Sequence, residues 1–430
     1  MIVNKVIKKV VAVVLSCIIL INMVACGSSM GNENTSTSFE RNIQAENLVS
    51  DVEKQHIDGK VPDEKFINSQ LDFYVDIFKN SVKVSENENI LISPLSIMLA
   101  LSMTANGAAG ETKEAMEDVL AGGITVEELN EYLYKYVETL PSNEKSKLSL
   151  ANSIWTLDKF NVKESFIQTN VNYYKADMYK VAFDDNSIKD INNWVKQNTD
   201  GMIEKIIENH ADGADMYLIN ALAFDAKWEE VYKPEDIKNG RFTSYEGREN
   251  KVKYMYSKED IYINDEDTIG FIKHYKDNQY SFVALLPDED IDILEYIDGF
   301  TYEKYISLME GKENCKVNAI LPEFSYEYGH SMKDVLKNMG MSLAFDLKLA
   351  DFSNLADGAL CIDDVIHKTF IQVDANGTRA GAVTKVGIVK SAISIEENKI
   401  VRLDRPFVYM IIDNVTNLPI FMGVTMEIEN

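Results

Sequence analysis

The sequence predicts an α+β fold: one large domain with a large, mainly antiparallel central sheet and surrounding helices. Three observations carry this. Apolar residues recur at helical spacing in the first third of the chain. Runs rich in β-branched and aromatic residues, bounded by turn residues, fill most of the remainder. Near the end, "FVYMIID" and "IFMGVTM" are separated only by "NVTNLP", a hairpin signal. Helices first and strands later is the α+β order. With 430 residues, 46% hydrophobic and 26% charged, the chain can build a sizeable core.

A segment of another kind precedes the fold. Lys5, Lys8 and Lys9 lead into the apolar run "VVAVVLSCIILINMV", and Ala25 stands before Cys26. Residues 1–25 therefore read as a secretory signal peptide. "MVAC" resembles a bacterial lipobox, although Met23 is a less usual residue at its position. That resemblance implies lipid on Cys26, with a plain signal peptide or an uncleaved anchor as the other reading. "GSSMGNENTSTSFERN" follows; it is polar and cannot bury enough surface to fold. Residues 26–61 are thus expected to be a lipid-anchored flexible tether and residues 62–430 the folded domain. The expected location is extracytoplasmic, at the cell surface or secreted. No later apolar run reaches the roughly 18 residues that cross a bilayer.

Within the domain, Phe66, Ile67, Leu71, Phe73, Tyr74, Ile77 and Phe78 predict a helix over Phe66–Val82. Ser93-Pro94 opens a second helix, with Ser as cap and Pro at the first position, and Gly107 and Gly110 end it. Glu111–Leu120 and Val126–Val137 read as two more. Strands are predicted at "LSLANSIWTL", "MYLINALAFDAKW", "YSFVALLP", "CKVNAILPEF" and "VIHKTFIQV".

Charge and motifs exclude several functions. A net charge of −26 makes nucleic acid a poor partner, because phosphates need Lys and Arg. There is no HExxH, Walker A or GxGxxG motif. No two of His56, His210, His274, His330 and His367 stand at metal-ligand spacing, so no metal or cofactor is expected. Carboxylate runs such as "LPDEDID" read as solvated faces. Cys17 leaves with the signal, and Cys315 and Cys361 are expected to be buried free thiols.

One stretch fits none of these elements. "VDANGTRAGAVTKVGIVKSAISIEEN", Val373 to Asn398, begins like a strand and then loses every feature of a stable element. Its length between strand-like runs points to function or disorder. Read with period two, Thr378, Ala380, Ala382, Thr384, Val386 and Ile388 share one small or apolar face. Arg379 and Lys385 lie on the other. The segment could therefore enter a sheet half buried, with Gly377 as a hinge that tolerates unusual backbone angles. A plain mobile surface loop is the other reading.

At this point the chain resembles the serpin family. "HKTFIQVDANGTRAGAVT" is similar to that family's strand and proximal hinge. "NILISPLSIMLALSMTANGAAGETKEAM", "INALAFDAKWEEVY", "LPEFSYEYGHSMKDVLKNMGMSLAFDLKLADFSNL", "DRPFVYMIID" and "PIFMGVTM" resemble its other signatures in the right order. The resemblance implies a serpin-like fold with an exposed reactive-centre loop, and a protein that is not an enzyme. A serine protease, or a cysteine protease, attacks the loop and forms an acyl-enzyme. The freed loop then inserts into the sheet and traps the protease covalently. About a dozen new ladder bonds at roughly 0.5–1.5 kcal/mol net each supply on the order of 10 kcal/mol.

Residue by residue, the resemblance implies a shutter at Ser93, Ser96, Asn220 and His367, and a breach at Trp228. It implies a hinge at Gly377, Thr378, Ala380, Ala382 and Thr384. Fourteen residues beyond Gly377 the cleaved bond falls at Ser391-Ala392, which suits elastase-like or subtilisin-like proteases. Lys390-Ser391 is the alternative and suits a trypsin-like enzyme. Ala375 and Arg379 stand where the family often has Glu, and the Pro often found after the C-terminal F-x-G is missing. A monomer is expected. Two other functions stay open: a non-inhibitory carrier or chaperone of the same family, and a two-lobed solute-binding lipoprotein.

Overall fold

The computed structural model describes residues 43–85, 87–209, 213–379 and 399–429. The chain starts with a two-residue strand, β1 (Glu46–Asn47). Asp63 then accepts the N–H of Phe66 and caps α1 (Glu64–Val84), which buries Phe66, Leu71, Tyr74, Ile77 and Phe78. After β2 (Ile90–Ile92), Ser93 caps α2 (Pro94–Ala105). Every residue of α2 is buried, so it has no polar face and lies in the middle of the molecule. α3 (Gly110–Ala121) ends at left-handed Gly122, and Thr125 caps α4 (Val126–Thr139). Next come β3 (Ser146–Leu157), α5 (Glu164–Tyr174), β4 (Asp177–Val181), α6 (Asp185–Asn198) and β5 (Met216–Lys227). The second half adds β6 (Ile237–Thr243), β7 (Glu249–Asn264), β8 (Thr268–His274) and β9 (Tyr280–Pro287). It then adds β10 (Glu313–Pro322), β11 (Phe324–Ser331), β12 (Asp364–Val373), β13 (Gly377–Arg379), β14 (Lys399–Arg402), β15 (Phe407–Asp413) and β16 (Pro419–Thr425). Every helix and strand predicted within the domain is present.

The strands form two sheets. The first has seven strands in the order β1-β4-β3-β5-β13-β12-β11. The second has nine, β14-β10-β7-β8-β9-β15-β16-β2 with β6 beside β7. The sheets are mixed, because β3–β4, β5–β12 and β10–β14 pair in parallel. β5 is covered on both faces. Met216, Leu218, Leu222 and Phe224 enter the main core, while Tyr217, Ile219 and Ala221 meet Trp155, Ile191 and Trp194 beneath α6. Its near-continuous apolar run is what two-sided burial requires.

The boundary expected at Pro62 falls too late. Residues 43–61 are strapped to the domain. β1 pairs with β4, and Asp190 accepts the N–H groups of Gln44 and Ala45 at 3.0 and 2.8 Å. Leu48, Val49 and Val52 pack on the core. A mostly polar segment with scattered apolar residues is held here by backbone pairing, which composition does not reveal. The described residues belong to one compact unit, which does not match the two-lobed architecture.

Candidate functional site

The site is the seam between β5 and β12. Along one half these strands pair directly, from Asp364 opposite Tyr217 to Lys368 opposite Ala221. Along the other half they part and β13 stands between them. Gly377 and Thr378 face Lys227 and Ala226 on one side, and Thr378 and Arg379 face Val373 and Gln372 on the other. The first hinge residues are thus already strand, not exposed loop. Ala380, Ala382, Thr384, Lys390, Ser391, Ala392 and Cys26 lie outside the described residues.

Gly377 is needed for a different reason from the one expected. Its φ is not positive. A Cβ there would lie 2.0 Å from the carbonyl oxygen of Ala226 and 2.8 Å from the Cα of Lys227, so only glycine lets β13 approach β5. Thr378 is buried, and its hydroxyl accepts from the Tyr275 hydroxyl at 2.6 Å. The Tyr275 ring stacks on Trp228 at 4.7 Å. Trp228 donates from Nε1 to Asp374 O and from its backbone N–H to Asn376 O, both at 2.9 Å. The Tyr232 N–H reaches Ala375 O at 2.9 Å. Trp228 therefore grips the turn that delivers the hinge, at the position implied for the breach.

Behind this grip is a buried ion pair. Lys273 Nζ donates to Glu259 at 2.8 Å and lies over the Tyr232 and Trp228 rings at 4.6 and 5.4 Å. Burial opposes the Lys273 charge, but Tyr232 and Glu259 outweigh it and hold its pKa above the ordinary lysine value. Sequence reasoning missed Tyr275, Lys273 and Glu259. One signal was available: a lone cation inside the apolar run "TIGFIKHY".

At mid-seam the structure brings Ser93, Ser96, Asn220 and His367 together. His367 faces Asn220 across the β5–β12 pairing. Its Nε2 accepts the Ser93 N–H at 3.1 Å, so Nδ1 carries the proton and donates to Asn220 Oδ1 at 2.9 Å. Asn220 donates to Ser96 O and, at 2.6 Å, to Asn152 Oδ1. Ser93 Oγ caps α2 and donates to Ile420 O at 2.8 Å. Among the described residues the Ser96 hydroxyl has no partner. With no counter-charge nearby, burial pushes the His367 pKa down to about 3 and the ring is neutral. Asn152 belongs to the network, and Thr369, two residues along β12 from His367, donates to Leu91 O at 2.6 Å; neither was foreseen. Cys315 and Cys361 are both free; Cys361 is buried, whereas Cys315 is only partly so.

A split seam, with β13 seated at its mouth and a neutral hydrogen-bonded cluster at its middle, is the candidate site. A family model described as "Serpin (serine protease inhibitor)" matches residues 68–428. A serpin-like protein of Methanosarcina acetivorans is 30% identical over 367 residues, covering 82% of this chain and 85% of its own. Serpin B6 of Macaca fascicularis is 28% identical and covers 78% and 93%. The crystal structure of the thermophilic serpin tengpin in its native state is 49% identical, covers 90% of this chain and all of its own, and superposes with a TM-score of 0.86. Tengpin in its latent state gives 0.76 at 47% identity, over 88% of this chain and all of its own. The chain belongs to the serpin family. Members of that family are mostly inhibitors rather than catalysts.

Proposed function

We propose that the protein is a suicide-substrate inhibitor of serine proteases. The observation that carries this is the seating of Gly377 and Thr378 between β5 and β12. Strand addition from that point continues a ladder that has already started, so it needs no costly first contact. The five residue pairs that join β5 directly to β12 are exchanged for two ladders, one on each side of the new strand. The net gain scales with the added bonds, roughly 0.5–1.5 kcal/mol each. The small face from Thr378 to Ile388 enters the core side without a buried charge.

Cleavage at Ser391-Ala392 favours elastase-like or subtilisin-like enzymes, and Lys390-Ser391 a trypsin-like one. Cys26 is proposed as the lipid attachment point that keeps the inhibitor at the cell surface. Incubation with elastase, subtilisin and trypsin, followed by denaturing electrophoresis, tests the proposal. A covalent band at the summed mass, with mass spectrometry of the released fragment placing the cut, is the expected result. Clean cleavage without a complex by every enzyme would leave a non-inhibitory carrier or chaperone instead.

A further inference from the structure

The end of the seam remote from the hinge carries a side-chain clasp. One carboxylate oxygen of Asp363, Oδ2, accepts the N–H groups of both Asp215 and Met216, the latter at 2.9 Å. The Asp363 N–H in turn reaches Met216 O at 3.1 Å. Asp363 immediately precedes β12 and Asp215 immediately precedes β5, so the clasp bridges the two strands that must separate. It extends further: Asp215 O accepts the Leu157 N–H of β3 at 2.9 Å, and Asp215 Oδ1 pairs with Lys159 at 2.5 Å. On the other side, Lys333 Nζ donates to Asp363 O at 3.0 Å. Elsewhere along the seam, apart from the His367–Asn220 side-chain bond at its middle, β5 and β12 are joined by ladder bonds that a new strand replaces in kind. A side-chain bond to backbone N–H groups ahead of the strand has no counterpart in the added ladder.

We propose that Asp363 is a terminal latch, a positioning residue that resists only the last step of strand addition. The proposal rests on the insertion mechanism above. β5 is 12 residues long, and β13 enters at its other end with Thr378 facing Ala226. In that register a six-residue strand from Thr378 ends opposite Ala221, short of the latch. A strand of twelve ends opposite Asp215 and must open it. A latch in this place separates partial from complete addition, and complete addition is the step that carries a tethered protease farthest.

The test uses two synthetic peptides, TRAGAV (Thr378–Val383) and TRAGAVTKVGIV (Thr378–Val389), annealed to the intact protein; each must displace the seated Gly377–Arg379 to take this register, a cost common to both. Incorporation is followed on native gels and by Trp228 fluorescence. For Asp363→Ala the long peptide is expected to incorporate at least about ten-fold faster than in wild type, and the short one within about two-fold. A long-peptide gain no larger than the short-peptide gain overturns the latch, because it signals general loosening or no effect. If the alanine variant does not fold by circular dichroism, Asp363→Ser, which removes the charge and shortens the reach to both N–H groups, supplies the same comparison. Annealing involves no protease. A chain that fails to trap proteases can still show the latch, and a trapping chain can still lack it.

Discussion

Replacing Thr378 by Arg tests the whole scheme at one atom group. Thr378 is 2% exposed, and its Oγ1 sits 2.6 Å from the Tyr275 hydroxyl. A guanidinium there would be desolvated against Tyr275 and Trp228, with an effective penalty of several kcal/mol. The lost acceptor also strands the Tyr275 hydroxyl, at about 1–3 kcal/mol. Against this stand the ladder bonds of the three-residue β13, each contributing roughly 0.5–1.5 kcal/mol net. The balance is unfavourable, so β13 leaves the seam and the cleaved loop cannot start down it. The assay titrates a fixed amount of whichever protease forms the complex. The moles of variant consumed per mole of enzyme inactivated are expected to rise at least about ten-fold, with the cleaved form accumulating free. The rise in melting temperature after cleavage, expected for wild type, is expected to vanish. Stoichiometric trapping by the variant, with the melting rise intact, would refute the reasoning.

Three further outcomes follow from the same geometry. His367 is held neutral with a pKa of about 3, against 6.5 in the unfolded chain. The unfolded state therefore binds the proton first. Stability is complete above about pH 6.5 and declines down to pH 3, with roughly 2 kcal/mol gone by pH 5. Melts between pH 7.5 and 4.5 should show a shallower decline for His367→Asn, and equal slopes would remove His367 from the account. Glu259→Gln leaves Lys273 buried without its counter-charge and is expected to cost about 3–5 kcal/mol in urea denaturation. Combining Glu259→Leu with Lys273→Met should avoid most of that cost, because no charge is then left buried; a cost under about 1 kcal/mol for Glu259→Gln alone would show the pair to be incidental. A chain beginning at Pro62 loses the β1–β4 pairing and leaves Asp190 without the N–H groups of Gln44 and Ala45. After the entropy of the freed strap is counted, about 2–3 kcal/mol of stability should be lost, and an unchanged unfolding midpoint would mean that the strap is passive.

Much of this was legible because local chemistry and tertiary role coincide. Ser93-Pro94 announces a capped helix and α2 starts there. The β-branched and aromatic run "VIHKTFIQV" predicts a strand and β12 stands there. The family motifs led to Trp228, Asn220 and His367, and the structure places them on one seam. The failures share a cause. β1 has two residues, too few for any periodic signal, and it exists because the β4 edge offers unpaired backbone groups. The sheets are mainly antiparallel as expected, but the places of the parallel pairings β3–β4, β5–β12 and β10–β14 were not foreseen, because strand direction depends on how distant segments meet. Asp363 stood in "CIDDVIHK" as one acid beside another, with nothing to show that its oxygen faces two N–H groups 147 and 148 residues away.

By itself the sequence determined the four helices from Phe66 to Val137, the strand runs quoted above, which residues are small enough to enter a sheet, and the family to which the chain belongs. Side-chain size, branching and capping act over a few residues, so a one-dimensional string contains them. Only the tertiary structure decided that the hinge already stands in the seam, that Gly377 is required by the Ala226 carbonyl and not by a turn, and that buried Lys273 and neutral His367 sit where the sheet must open. Those outcomes depend on desolvation and on contacts between residues 14 (Lys273 and Glu259) to 274 (His367 and Ser93) positions apart, and both arise only when the chain has closed on itself.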